Sequence, residues 1–157
     1  MAQLSEKVFH IRVTEGRSSK AVIALGQYEG KNSKITARNF PMRGMATGFR
    51  IIVYLEFDHE ATSEEVLREA QLWCLERPRY EDALLFGEQY APEQRGERVV
   101  FLHEPWRRWR FGKPLVMVFS RYFFCNCNGL MLIRCDKPAH TDKWPADCKF
   151  AFIRRQG

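Results

Sequence analysis

Ten consecutive residues, Phe49 to Asp58, alternate between two faces of an extended chain. Phe49, Ile51, Val53, Leu55 and Phe57 fall on one face; Arg50, Ile52, Tyr54, Glu56 and Asp58 fall on the other. Strand side chains point to opposite faces with a period of two, so the stretch predicts a half-buried β-strand. A strand of this length needs neighbours, which commits the chain to a sheet.

A second constraint comes from Glu104 to Cys135. An apolar run, Leu115 to Phe124, precedes Asn128-Gly129, and a second run, Leu130 to Ile133, follows. Asn-Gly supplies the two positive-φ positions of a type I′ turn, so the pair predicts a β-hairpin at the centre of the sheet. A cluster of cations and rings stands at the entrance to that hairpin: Trp106, Arg107, Arg108, Trp109, Arg110, Phe111 and Lys113.

The other elements follow from local signals. Val8 to Thr14 alternates as a strand, Glu15 to Ser19 reads as a turn, and Ala21 to Tyr28 as a second strand, giving an N-terminal hairpin. Glu29 to Gly48 is polar, basic and glycine-bearing, and is expected to be a long functional or mobile loop, with at most a short edge strand about Ile35. Thr62 followed by Glu65 is a capping box, and Val66, Leu67, Ala70, Trp73 and Cys74 form an apolar stripe. These predict a helix over residues 63–77, ended by Pro78. Tyr80 to Phe86 adds a further helical turn or two, Arg98 to His103 a short strand, and Lys149 to Arg155 a closing strand. The expected fold is a single α+β domain spanning residues 1–157. Its sheet is mainly antiparallel, of about six or seven strands with hairpins at both ends, and one main helix packs on it.

Composition sets the class. Hydrophobic residues at 45% and charged residues at 28% suit a globular chain rather than a disordered one. Met1 to Lys20 carries charges throughout, and no apolar run approaches the roughly 20 residues that span a bilayer. The expectation is a soluble cytoplasmic protein with no membrane partner. The 5 cysteines, an odd number, favour reduced thiols over a disulfide framework.

Net charge is +6, unevenly spread. Residues 1–50 hold 9 Lys/Arg against 3 Asp/Glu, residues 51–104 hold 5 against 13, and residues 105–157 hold 11 against 3. Two basic segments thus flank an acidic one. Either the basic ends sum into one cationic face, or the acidic segment neutralises them inside the fold.

Enzymatic signals are weak. His10, His59, His103 and His140 are candidate bases, and Cys125, Cys127 and Ser120 candidate nucleophiles, but none sits in a recognisable catalytic frame. Asp58, Glu60, Glu64 and Glu65 are accounted for by the start of the helix. Cys125, Cys127, Cys135 and Cys148 with His140 have metal-ligand chemistry. In the predicted hairpin, however, Cys127 and Cys135 lie on the order of 17 Å apart, too far for one tetrahedral site. No metal and no cofactor are therefore expected.

The Trp/Arg cluster has a more specific chemistry. Arginine offers phosphate contacts and a planar stacking face, and tryptophan a stacking platform indifferent to base identity. The reading is a non-catalytic nucleic-acid-binding protein, with RNA or single strands favoured over duplex. Its contacts would be Trp106, Arg107, Arg108, Trp109, Arg110 and Lys113, helped by Arg38 and Arg43. The alternative is a small interaction or inhibitor protein, of the type found in phages and mobile elements, docking on a protein partner through the same cluster.

Overall fold

A computed structural model describes residues 2–121, 128–139 and 141–156. In chain order the elements are β1 (Ala2–Val13), α1 (Ser19–Leu25), β2 (Gly30–Lys31), β3 (Gly48–Phe57), β4 (Ala61–Thr62), α2 (Ser63–Leu72) and β5 (Leu75–Glu76). Then come α3 (Tyr80–Gln89), α4 (Pro92–Arg95), β6 (Arg98–Trp106), β7 (Leu115–Arg121), β8 (Asn128–Arg134), β9 (Lys143–Trp144) and β10 (Lys149–Arg154). Eight strands form one sheet in the order β1-β3-β10-β6-β7-β8-β2, with β5 added against β10. Neighbours run antiparallel except β10 beside β6 and β8 beside β2, which run parallel. The fold is α+β with a mainly antiparallel sheet.

Both faces of the sheet are covered. α1 and α3, with Ile35 and Phe40 of the following segment, pack on the face carrying Phe9, Ile52, Phe101 and Phe119. α2 and the β4–β9 pair, with Trp144, cover the face carrying Val53, Leu55, Val100 and Phe150. The β3 alternation is as the sequence predicts, but its second face is buried too: Ile52 and Tyr54 lie beneath α3.

Several expectations are overturned. Ala21 to Tyr28 is not a strand: Ser18 caps a helix there, its hydroxyl accepting from the Ala21 N–H at 3.2 Å. There is accordingly no N-terminal hairpin, and β1 pairs instead with β3. α2 ends at Leu72 rather than near residue 77. Cys74 takes a left-handed conformation at φ 58°, after which Leu75 and Glu76 leave to pair with β10. The main helix is not alone: α3 is buried along its length from Glu81 to Gly87. Its Phe86 meets the rings of Phe9, Tyr54, Tyr90, Phe101 and Phe119 at centroid distances of 5.0 to 6.4 Å.

Asn128-Gly129 is no turn either. The two residues open β8 and pair with Arg121 and Ser120, so the connection from β7 falls within 122–127, outside the described residues. Their chemistry is used in the interior. The Asn128 amide donates to the Gly26 carbonyl at 2.8 Å and its oxygen accepts from Arg95. Gly129 stands where a Cβ would come within 3.1 Å of the Ser120 carbonyl oxygen. The β7–β8 pair lies toward one side of the sheet, and β10 takes a central place between β3 and β6. Phe150 to Ile153 are buried in succession, as a strand covered on both faces requires.

The segment from Glu29 to Gly48 is pinned rather than loose. Its short strand is at Gly30–Lys31, not at Ile35, which is fully buried instead. Phe40 is also buried, and its carbonyl accepts from the Ser19 hydroxyl at 2.7 Å. On the outer edge of β1, side chains stand in for a missing strand. Gln89 exchanges two hydrogen bonds with the Arg12 backbone at 2.7 and 2.8 Å, and the Tyr90 hydroxyl does the same for His10 at 3.0 Å.

Candidate functional site

The connection between β6 and β7 displays exposed rings and cations side by side. Its base is shaped by an irregularity in the ladder. Between the pairs Phe101–Met117 and Trp106–Leu115, four residues of β6 stand opposite the single Val116 of β7. His103 fills the gap. Its Nε2 accepts from the Met117 N–H at 3.0 Å, and its Nδ1 donates to the Glu104 carbonyl oxygen at 2.7 Å. Burial pushes this imidazole down to about 4, so the ring is neutral at physiological pH. With both nitrogens engaged by backbone, His103 serves the strand geometry rather than a nucleophile.

Beyond the bulge the Trp/Arg cluster divides. Trp106 ends β6 half-buried, its ring 5.4 Å from that of Phe40 in the core. Trp109 and Phe111 stand out in solvent, 61% and 74% exposed, and meet edge to face at 5.7 Å. A short turn holds them up: the Gly112 N–H donates to the Trp109 carbonyl at 2.8 Å, and the Arg107 guanidinium to the Gly112 carbonyl at 2.6 Å. Arg110 lies over the Phe111 ring at 5.4 Å. Arg107, Arg108, Arg110 and Lys113 are exposed, and none has a carboxylate partner among the described residues.

Ion pairs take up part of each basic end of the sequence: in the C-terminal third Arg134 meets Asp136 and Lys149 meets Glu56. In the N-terminal third, Arg17 pairs with Glu88, Arg43 with Glu81 at 2.7 Å, and Arg50 with Asp82 at 2.7 Å. All three acids belong to α3, so that acidic helix answers 3 of the 9 cations of the N-terminal third. Burial alone would raise the Glu81 carboxyl, but hydrogen bonds from Arg43 outweigh it and hold it below the usual range. The loop at 107–113 keeps its charge. Arg38 is exposed and belongs to the segment whose Phe40 packs on Trp106, so it lies at the same end of the sheet. Arg43 is committed to Glu81, although its side chain remains 60% exposed.

The remaining candidates are dispersed. His10 is exposed on β1, and His59 lies 2.8 Å from Asp58. Ser120 pairs within the β7–β8 ladder. Cys125, Cys127 and His140 lie outside the described residues. Cys135 sits at the far end of β8, its N–H donating to the Pro114 carbonyl, and Cys148 is buried with its thiol pushed up by burial to about 11. Among the described residues no three His, Cys, Asp or Glu side chains converge as a metal site would require. None of the helices there is long and apolar enough to cross a membrane.

One buried cation was not anticipated. Arg95, 2% exposed, donates to the Gly87 and Tyr90 carbonyls at the end of α3 and to Asn128, and lies over Phe119 at 4.5 Å. It caps that helix end, where a cation suits the dipole. A basic residue a few positions beyond an apolar helix is the available signal, hidden because the periodicity of 80–86 predicts only a turn or two of helix.

Compared with protein-family models, with curated proteins and with solved structures, the chain finds no match in any of the three.

Proposed function

We propose that this protein is a non-catalytic binder of nucleic acid, single-stranded or RNA, that acts through the β6–β7 loop. One observation carries the reading. Trp109 and Phe111 are held out in solvent among three arginines and a lysine that have no carboxylate partner among the described residues. Burying those rings in a core would be the ordinary outcome for such large side chains, and their display costs hydrophobic stabilisation that a partner can restore. Bases stack on exposed rings, and unpaired guanidinium groups bind phosphate with two parallel hydrogen bonds. The free thiols of Cys74, Cys135 and Cys148 suit a reducing, cytoplasm-like setting.

The test is binding of labelled random single- and double-stranded RNA and DNA across a salt titration. Affinity is expected to fall log-linearly with salt, and the slope to flatten when Arg107, Arg108 and Arg110 are changed together to Ala. Trp109→Ala is expected to weaken binding by about 1–3 kcal/mol per base released, with melting unchanged. No binding at low salt overturns the reading and leaves a protein partner docked on the same loop as the alternative.

A further inference from the structure

Beside His103 and Glu104 of β6, the strand that leads into the loop, a cleft of about 370 Å³ is lined also by Arg43, Pro78, Arg79 and Tyr80. We infer that this cleft is a second subsite of the same nucleic-acid surface, taking a backbone phosphate of the strand whose bases stack on the loop. The inference rests on the proposed function and extends its footprint.

Charge bookkeeping within the cleft singles out one cation. Glu104 is answered by Arg77 at 3.0 Å, and that guanidinium also donates to the Leu102 and His103 carbonyls. Glu81 is answered by Arg43, and Asp82 by Arg50. His103 is neutral. Arg79 is left: its side chain is exposed and makes no ion pair among the described residues. Its backbone is fixed all the same, its N–H donating to Asp82 at 2.8 Å at the start of α3.

Arg43 is presented with unusual rigidity beside it. Two of its nitrogens are gripped by the fully buried Glu81 carboxylate at 2.7 and 2.9 Å, and its guanidinium stacks over the Tyr80 ring at 4.6 Å. The same Tyr80 donates to the Pro41 carbonyl. A guanidinium held by a fork on one side and a ring on its face loses little freedom when it meets a ligand.

The cleft and the loop are joined through the interior. Buried and half-buried rings link Trp106 to Phe40 at 5.4 Å, Phe40 to Tyr80 at 5.1 Å and Tyr80 to His103 at 6.2 Å. Along β6, His103 and Glu104 of the cleft lie three and two residues before Trp106, within the bulge that leads into the loop. A strand that follows β6 from the cleft into the loop would meet both places, and the cleft's volume lies within the range of small-ligand sites.

The experiment compares wild type, Arg79→Ala and Trp109→Ala on single-stranded oligonucleotides of about 4 and about 12 nucleotides, lengths that bracket small single-strand footprints. Arg79→Ala is chosen because its side chain is exposed and unpaired, so the fold should be untouched; circular dichroism melting checks this. The expected result is a loss of roughly fivefold or more on the longer oligonucleotide, with the salt slope reduced by about 0.7, one phosphate's worth on a single strand. The shorter oligonucleotide, held at the loop, should bind both Arg79→Ala and wild type alike. Wild-type affinity and slope for Arg79→Ala on the longer strand, with binding lost in Trp109→Ala, would overturn the cleft and leave the loop standing. Weakening by Arg79→Ala with Trp109→Ala unchanged would move binding to the cleft and overturn the loop. Absence of wild-type binding to either length removes both.

Discussion

His103 shows how a residue suited to catalysis is claimed by architecture. Its ring closes a gap in the β6–β7 ladder, and that position fixes its protonation state. The ordinary imidazole value is 6.5 and the folded one about 4, so the unfolded chain takes up a proton in that window while the folded chain does not. Stability is therefore complete above pH 6.5 and declines as pH falls toward 4, by up to about 1.4 kcal/mol per pH unit. Urea titrations between pH 6.5 and 5, where most carboxylates remain ionised, should show this slope, and His103→Gln should flatten it. An unchanged slope in that variant would mean the dependence arises elsewhere. At this scale the sequence singles out Trp109 and the three arginines by their spacing, and the structure shows them exposed, whereas the pairing of Arg43 with Glu81, 38 positions apart, exists only through the fold.

Among the elements, α3 organises the molecule more than any strand. It lays Leu84 and Phe86 against the sheet, absorbs three arginines of the N-terminal third, and lends Gln89 and the adjoining Tyr90 to the edge of β1. Phe86→Ala should cost about 3–5 kcal/mol, because five surrounding rings cannot all close on the space it leaves. A chemical denaturation midpoint reports this directly, and a loss under 1 kcal/mol would show that the ring cluster collapses freely. The helix was faint in the sequence for a physical reason. Seven successive buried residues, two of them acids, erase the periodicity by which a half-exposed helix is recognised. α2, with one face in water and a capping box at Thr62, was legible; α1 was hidden by its β-branched residues, although Ser18 offered a cap. Asn128-Gly129 misled because its turn chemistry was spent on a buried hydrogen bond and a close backbone approach.

At the scale of the whole molecule, charge and topology separate two tasks. The acidic α3 answers Arg17, Arg43 and Arg50, and the β6–β7 loop displays four cations with no carboxylate partner among the described residues. Pairing between distant segments, as between Arg43 and Glu81, is what the charge segments of the sequence alone could not choose. Topology sets kinetics as well. Lys149 pairs with Glu56 and stands beside Val99, so the central strand closes contacts across most of the chain. Such non-local pairing predicts refolding on the millisecond-to-second scale, measurable by stopped-flow tryptophan fluorescence; microsecond refolding would contradict it.

The place of β10 also bears on birth at the ribosome. As the chain emerges, β3 and β6 are made early but have no strand to lie between them, and both await a partner still inside the exit tunnel. Until residue 154 is released, nascent chains expose the apolar flanks of an open slot. That is the interval in which holdase chaperones would find them, and in which ribosome stalling would leave the most adhesive intermediate.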